Sequence, residues 1–108
     1  MDNKDLIKGT VTPIVLALLR EQPRYGYEIV KVVNSRTNGR FEWKEGTLYP
    51  TLHRLEAEKL IKAEWRDADT GKRRKYYLLT RRGETELAKR KEAWTAFSEA
   101  VSMFLIGG

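Results

Sequence analysis

The 108-residue chain contains no cysteine. That excludes a disulfide scaffold, a cysteine-ligated zinc, an iron–sulfur cluster and a thiol nucleophile. It contains a single histidine, His53. A histidine metal cluster or a Ser-His-Asp triad would rest on that residue alone, so neither a metal nor a cofactor is expected. Glutamate and aspartate are plentiful, but no spacing marks a catalytic pair, and the chain reads as a non-enzyme. Long apolar runs are missing too. Ile14 to Leu19, the longest early run, spans six residues, far short of the roughly 20 that cross a bilayer. The opening stretch, Met1 to Gly9, is charged and polar, unlike a targeting segment. A soluble, cytoplasmic protein with no membrane partner is the expectation.

The chain is instead rich in charge, with a net of +6 and a hydrophobic fraction of 41%. That apolar content suffices for one modest core. The charge is unevenly spread: Lys72 to Lys91 holds 9 basic and 2 acidic residues, whereas Met1 to Gly71 holds 12 and 11. A focused basic stretch is the electrostatic footprint of a nucleic-acid binder. A solvated basic face without a partner is the plain alternative.

Thr12-Pro13 opens the first strong element, with threonine as N-cap and proline at the first helical position. Ile14, Val15, Leu18 and Leu19 follow at helical spacing, and Gln22-Pro23 ends the helix. A second helix is predicted over Gly26–Arg36, burying Ile29, Val30 and Val33 and turning Glu28 and Lys31 to water. Of Tyr25 and Tyr27, which flank its start, one is expected in the core. Asn38-Gly39 is a turn, and Phe41–Trp43 reads as a very short strand. A third helix is predicted from Glu45 to about Lys59, with Leu48, Leu52 and Leu55 buried and Pro50 in its first turn. Ile61–Arg66 and Arg74–Thr80 read as strands of a hairpin with a basic tip. In the first of them Trp65 is expected in the core or an interface. Thr80 then caps a helix of about 25 residues reaching Leu105. Leu87, Trp94 and Val101 recur every seven residues, as do Phe97 and Phe104, which makes an a/d seam.

Three helices, a hairpin and a long helix describe a mainly α protein with a small β-hairpin: a winged helix-turn-helix over residues 1–80, continued by a C-terminal dimerisation helix over 81–108, in one compact unit. In such a fold the third helix enters the major groove of double-stranded DNA and the wing meets phosphates. Thr47 offers a hydroxyl beside the third helix's first amides, which suits a phosphate. Tyr49 and Thr51 can hydrogen-bond phosphate or a base edge. His53 and Arg54 sit a turn further along, and Arg54 can reach guanine or pair with Glu58. Lys72, Arg73, Arg74 and Lys75 can neutralise phosphates from the wing, although strand alternation turns at least one of Arg73, Arg74 and Lys75 away. Tyr25 is a phosphate candidate at the start of the second helix. The seam of Leu87, Trp94, Phe97, Val101 and Phe104, helped by Leu6 and Ile7, is too apolar to stay wet and predicts a homodimer.

The segments Tyr25-Gly26-Tyr27-Glu28-Ile29, Glu45 to Glu56 and Gly71 to Thr80 resemble the PadR family of bacterial transcriptional regulators, in its compact branch with one C-terminal helix. The resemblance runs from about Lys8 to Phe104, and Pro13 departs from it by shortening the first helix. It implies a homodimeric repressor on inverted-repeat operator DNA, in some relatives released by a phenolic acid or a flat aromatic compound. It also implies that Trp94, with Phe97 and Val101, lines a cleft at the dimer axis for a planar aromatic or phenolic ligand. Packing alone is the simpler reading of Trp94. A winged-helix protein-interaction module without specific DNA binding, or a winged RNA binder, are the alternatives.

Overall fold

The computed structural model describes residues 9–107, so Leu6 and Ile7 lie outside the described residues. Helix α1, Val11–Glu21, starts earlier than its proline suggested. Thr10, not Thr12, occupies the N-cap position, with no side-chain capping bond. Thr12 is buried inside the first turn, where its hydroxyl accepts a 2.7 Å hydrogen bond from Arg54 Nη2. Pro13 is still in the first turn, whose amides have no helical acceptor. Strand β1, Arg24–Tyr25, follows. Two residues carry no periodicity, and nothing in the sequence announced this strand. Helix α2, Gly26–Arg36, buries Ile29, Val30 and Val33 as expected. Neither flanking tyrosine is in the core: Tyr25 is half-buried and Tyr27 exposed. Glu28 faces water only in part, because its Oε1 is buried 3.8 Å from Arg24 Nη1.

Asn38 and Gly39 both take positive φ, 53° and 78°, and turn the chain. The expected strand at Phe41–Trp43 does not form. The side-chain amide of Asn34 replaces a strand neighbour there, donating to Trp43 O at 3.2 Å and accepting from Trp43 N–H at 2.9 Å. That brace delivers the Trp43 ring into the core.

Helix α3, Glu45–Ala57, buries Leu48, Leu52 and Leu55 completely. Pro50 sits in its second turn rather than its first, so the carbonyl of exposed Gly46 has no N–H four residues on to accept from. The helix stops short of Lys59, which adopts the left-handed conformation at φ 66°. The Leu60 N–H returns to Leu55 O at 3.0 Å and the Lys59 N–H to Glu56 O at 3.1 Å. This is a Schellman ending with lysine where glycine is usual.

Strands β2, Ile61–Asp67, and β3, Arg73–Leu79, form the hairpin. With β1 they make a three-stranded antiparallel sheet in the order β1-β3-β2. Register assigns the faces, because directly opposed residues point the same way. Ile61, Tyr77 and Arg24 lie on the core side, and Tyr25, Tyr76, Arg74, Glu64 and Arg66 on the outer side. Trp65 shares the core-side parity but lies beyond the core and is exposed, so of the two readings the alternation offered, core or interface, it is not core.

Thr80 caps helix α4, Arg81–Ser102, accepting from the Gly83 N–H at 3.0 Å. The same hydroxyl lies 2.9 Å from Leu60 O, which also accepts from the Thr80 N–H at 3.1 Å. A Cβ on Gly83 would collide with that Leu60 carbonyl, so glycine lets α4 start directly against the end of α3. Beyond Ser102 the helix does not run on as α to Leu105 but widens into a π-helical turn, Met103–Gly107.

The core gathers α1, α2, α3, the sheet and the first turns of α4. Leu87 is 3% exposed in the single chain. It therefore leaves the seam assigned to it, because its own chain already covers it. Outside the core, Glu21 ties α1 to α2: its Oε1 accepts from Arg24 Nη2 and Arg36 Nη2, both at 2.7 Å. Arg24 is itself buried and also donates to Leu18 O. The Arg36 hydrogen bond, reinforced by Arg24 against the opposing cost of burial, holds the Glu21 carboxyl down at about 2.

Candidate nucleic-acid interface

The apolar triplet Leu48, Leu52, Leu55 faces inward, so the opposite stripe of α3 faces out. That stripe carries Gly46, Pro50, His53 and Ala57, all exposed. Three of these four were passed over in the sequence because small residues carry no obvious chemistry. Their spacing of four, three and four was the available signal. Small side chains leave the helix backbone free to approach another molecule closely.

The remaining candidates on α3 flank this stripe. Thr47 is exposed in the first turn and Thr51 half-buried a turn later. Tyr49 lies on the side toward α2. Its ring packs on Gly26, where an added Cβ would come within 2.7 Å of the phenolic oxygen. Glycine at the start of α2 thus makes the slot for Tyr49. Burial, with smaller contributions from Glu45 and Tyr77, pushes the Tyr49 hydroxyl above its ordinary pKa. The ring also leans toward His53, at 6.4 Å between centroids. Arg54 is divided between the hydrogen bond to Thr12 on α1 and an ion pair with Glu58 at 3.5 Å. It braces α3 against α1 while remaining half-exposed.

The wing presents its cations on two faces. Lys75 and Arg73 share the core-side parity with Trp65 and Asp67. Lys75 Nζ lies 3.8 Å from Glu56 of α3 and 5.5 Å from the Tyr77 ring centre. Arg73 lies 3.7 Å from Asp67 and over the Trp65 indole at 6.0 Å. Arg74 faces the other way, stacked on Tyr25 at 4.4 Å. Tyr25 meets Tyr76 edge to face at 5.5 Å, and Arg66 covers Tyr76 at 5.4 Å. The alternation expected of Arg73, Arg74 and Lys75 is therefore present, and Arg74 joins Tyr25 at the start of α2. Lys72 is exposed near the tip of the wing, beside the tight turn at Gly71, whose φ is 83°.

On α4, Trp94 and Phe97 are 57% and 63% exposed, 6.2 Å apart at 38°. Phe104 is exposed on the π-helical turn and Val101 half-buried. Among the described residues no helix is long and apolar enough to cross a membrane, and no cluster of His, Asp and Glu could hold a metal.

Known proteins share this arrangement. A transcriptional regulator from Clostridium thermocellum superimposes with a TM-score of 0.86 at 35% identity, covering 96% of this chain and 98% of that one. A PadR-like transcriptional regulator from Bacillus cereus gives a TM-score of 0.84 at 31% identity, over 94% and 96% of the two chains. An uncharacterised protein of Lysinibacillus sphaericus is 38% identical over 107 residues, 99% of this chain and 98% of its own length. Residues 15–89, which run from α1 through the wing into the start of α4, match the transcriptional regulator PadR-like family. The family resemblance and the winged-helix architecture agree, and the chain belongs to the PadR-like family of transcriptional regulators rather than to any class of enzyme.

Proposed function

We propose that the protein is a homodimeric repressor that binds inverted-repeat operator DNA through α3 and the wing. The observation that carries this reading is the Lys75–Glu56 contact, which sets the cationic wing directly beside the helix whose outer stripe is free. The stripe Gly46, Pro50, His53, Ala57 enters the major groove, and its small members admit the helix deeply. Thr47, Thr51 and Arg54 flank it on one side and Tyr49 on the other. Lys72, Arg73 and Lys75 meet phosphates from the wing, and Arg74 with Tyr25 meets them beside the start of α2. Trp94, Phe97, Val101 and Phe104 form the dimer interface. Trp94, Phe97 and Phe104 are apolar and exposed, Val101 is half-buried beside them, and Met103, Leu105 and Ile106 extend the patch to the end of the described chain.

Selection of bound duplexes from a random DNA pool at physiological salt tests this reading. An enriched inverted repeat with half-sites about one helical turn apart is expected. Affinity should fall by orders of magnitude between about 50 and 200 mM salt. Binding indifferent to sequence would point to a protein-interaction module instead.

Regulation follows from the same dimer. A planar aromatic or phenolic compound stacked between the Trp94 indoles gains both area and offset stacking. It lowers operator affinity only if it prefers a spacing of the two DNA-reading heads that the operator does not. Fluorescence of a variant retaining only Trp94 reports the ligand. No quenching by any planar dye or phenolic acid, in a dimeric and DNA-competent variant, leaves Trp94 as packing.

A further inference from the structure

Three of the cations assigned to DNA have a carboxylate at their side. Glu58 lies 3.5 Å from Arg54, Asp67 3.7 Å from Arg73, and Glu56 3.8 Å from Lys75. Two of these pairs are local, one within a turn of α3 and one across the hairpin. The third joins two elements, with Glu56 on α3 and Lys75 on β3. All six side chains are at least a third exposed. Pairs this wet contribute little to folding stability, so stability does not account for their repetition along the candidate interface. Arg74, on the other sheet face, rests on Tyr25 with no carboxylate at ion-pair distance among the described residues.

We propose that Glu56, seconded by Glu58 and Asp67, is a specificity-determining residue: it neutralises Lys75 except when a fully seated operator draws the lysine to phosphate. The inference rests on the reading of α3 and the wing as the DNA interface. Binding to random sequence is almost wholly attraction between cations and phosphates. A lysine already paired adds little to that attraction in a loose, water-separated complex. A seated operator brings a phosphate into direct hydrogen-bond range, where a charge-assisted contact replaces the carboxylate. The carboxylate therefore weakens wrong complexes more than the right one, which is how a repulsive element creates discrimination. Glu56 suits this role because, of the three carboxylates, it is the one that joins α3 to the wing. Lys75 is confined between Glu56 and the Tyr77 ring. Burial first, and Glu56 second, raise the Tyr77 hydroxyl above its ordinary pKa.

The test uses the full-length dimer, a random-sequence duplex and the duplex enriched from the random pool, titrated between about 50 and 200 mM salt. Glu56→Gln should raise affinity for the random duplex by about 1.5- to 5-fold for each freed lysine. Its plot of log affinity against log salt should steepen by about 0.9 for each. Affinity for the enriched duplex should rise less, so the ratio of the two falls. Asp67→Asn should act in the same direction and more weakly; at an exposed wing position it leaves folding intact. Glu92→Gln, on the exposed middle of α4, should leave the ratio unchanged. Adding Lys75→Gln to Glu56→Gln should return random-duplex affinity to the unaltered level or below. An unchanged ratio and salt slope in Glu56→Gln, with the preference for the enriched duplex intact, overturns this inference alone. A protein with no preference for any duplex overturns the DNA-reading assignment and this inference with it.

Discussion

Leu87 and Trp94 lie two helical turns apart on α4 and have opposite surroundings. Leu87 is 3% exposed, closed over by α1 and the core of the head. Trp94 is 57% exposed, and beyond it Phe97 and Phe104 are exposed as well. The head folds by satisfying its own apolar residues, with Val15, Leu16, Ile29, Leu48, Leu52 and Leu55 at 0% exposure. The outer part of α4 satisfies none of its large ones. One heptad pattern in the sequence thus has two outcomes: its first member closes the fold of its own chain, and Trp94, Phe97 and Phe104 stay exposed, where the proposed partner would cover them. Periodicity reports that a residue will be covered, but not by which chain.

The largest test of this contrast is truncation inside the head. Leu52→Ala and Leu87→Ala should each cost about 2–5 kcal/mol in denaturant unfolding, by the same amount at every protein concentration. A concentration-dependent loss for Leu87→Ala would return it to the subunit interface. Trp94→Ala should act only through association, at the roughly 2 kcal/mol of an interface hot spot. Sedimentation should then show the monomer–dimer midpoint moved to about thirty-fold higher concentration. A comparable loss in the unfolding of the isolated protomer would erase the contrast.

Much of the head was legible because burial and helical spacing coincide there. The α2 boundaries, the Thr80 cap and the buried faces of α2 and α3 follow from local rules that tertiary contacts do not override. Three of the misreadings share a cause, a partner that the local pattern does not show. Thr12 looked like a cap but is the acceptor for Arg54, 42 positions away. Phe41–Trp43 looked like a strand, but the Trp43 N–H and carbonyl are taken by Asn34 and the Phe41 N–H by the Thr37 hydroxyl. Strand β1 exists only because β3 lies alongside it. In the candidate interface, charged and hydroxyl residues announced themselves, whereas Gly46, Pro50 and Ala57 contribute by being small.

Two smaller effects sharpen the boundary between the regions. Thr80→Ala should cost about 1 kcal/mol, read as a lower thermal midpoint, because it uncaps α4 where helix and head meet; Thr80→Ser should recover most of it. Acid should act on the head alone, through Glu21. Its carboxyl sits near 2 in the folded chain instead of the ordinary 4.5. The stabilisation it gives is complete above about 4.5 and is lost as pH falls toward about 2. Glu21→Gln should flatten that stretch of the pH–midpoint curve while leaving neutral-pH association unchanged. The effect is the smallest of the four, since water screens Glu21 and Arg36.

The Leu60 carbonyl, clasped by Thr80 and overlaid by Gly83, is a fulcrum. A helix of 22 residues is a rod of about 33 Å, rooted with no slack at the end of the helix that carries the outer stripe. A tilt of about 5° at that root displaces the far end of the rod by about 3 Å. In the dimer proposed above, a small shift between the two rods would swing each α3 as a body, with little loop between them to absorb the motion. On that reading the chain is a lever whose short arm is α3 with the wing beside it.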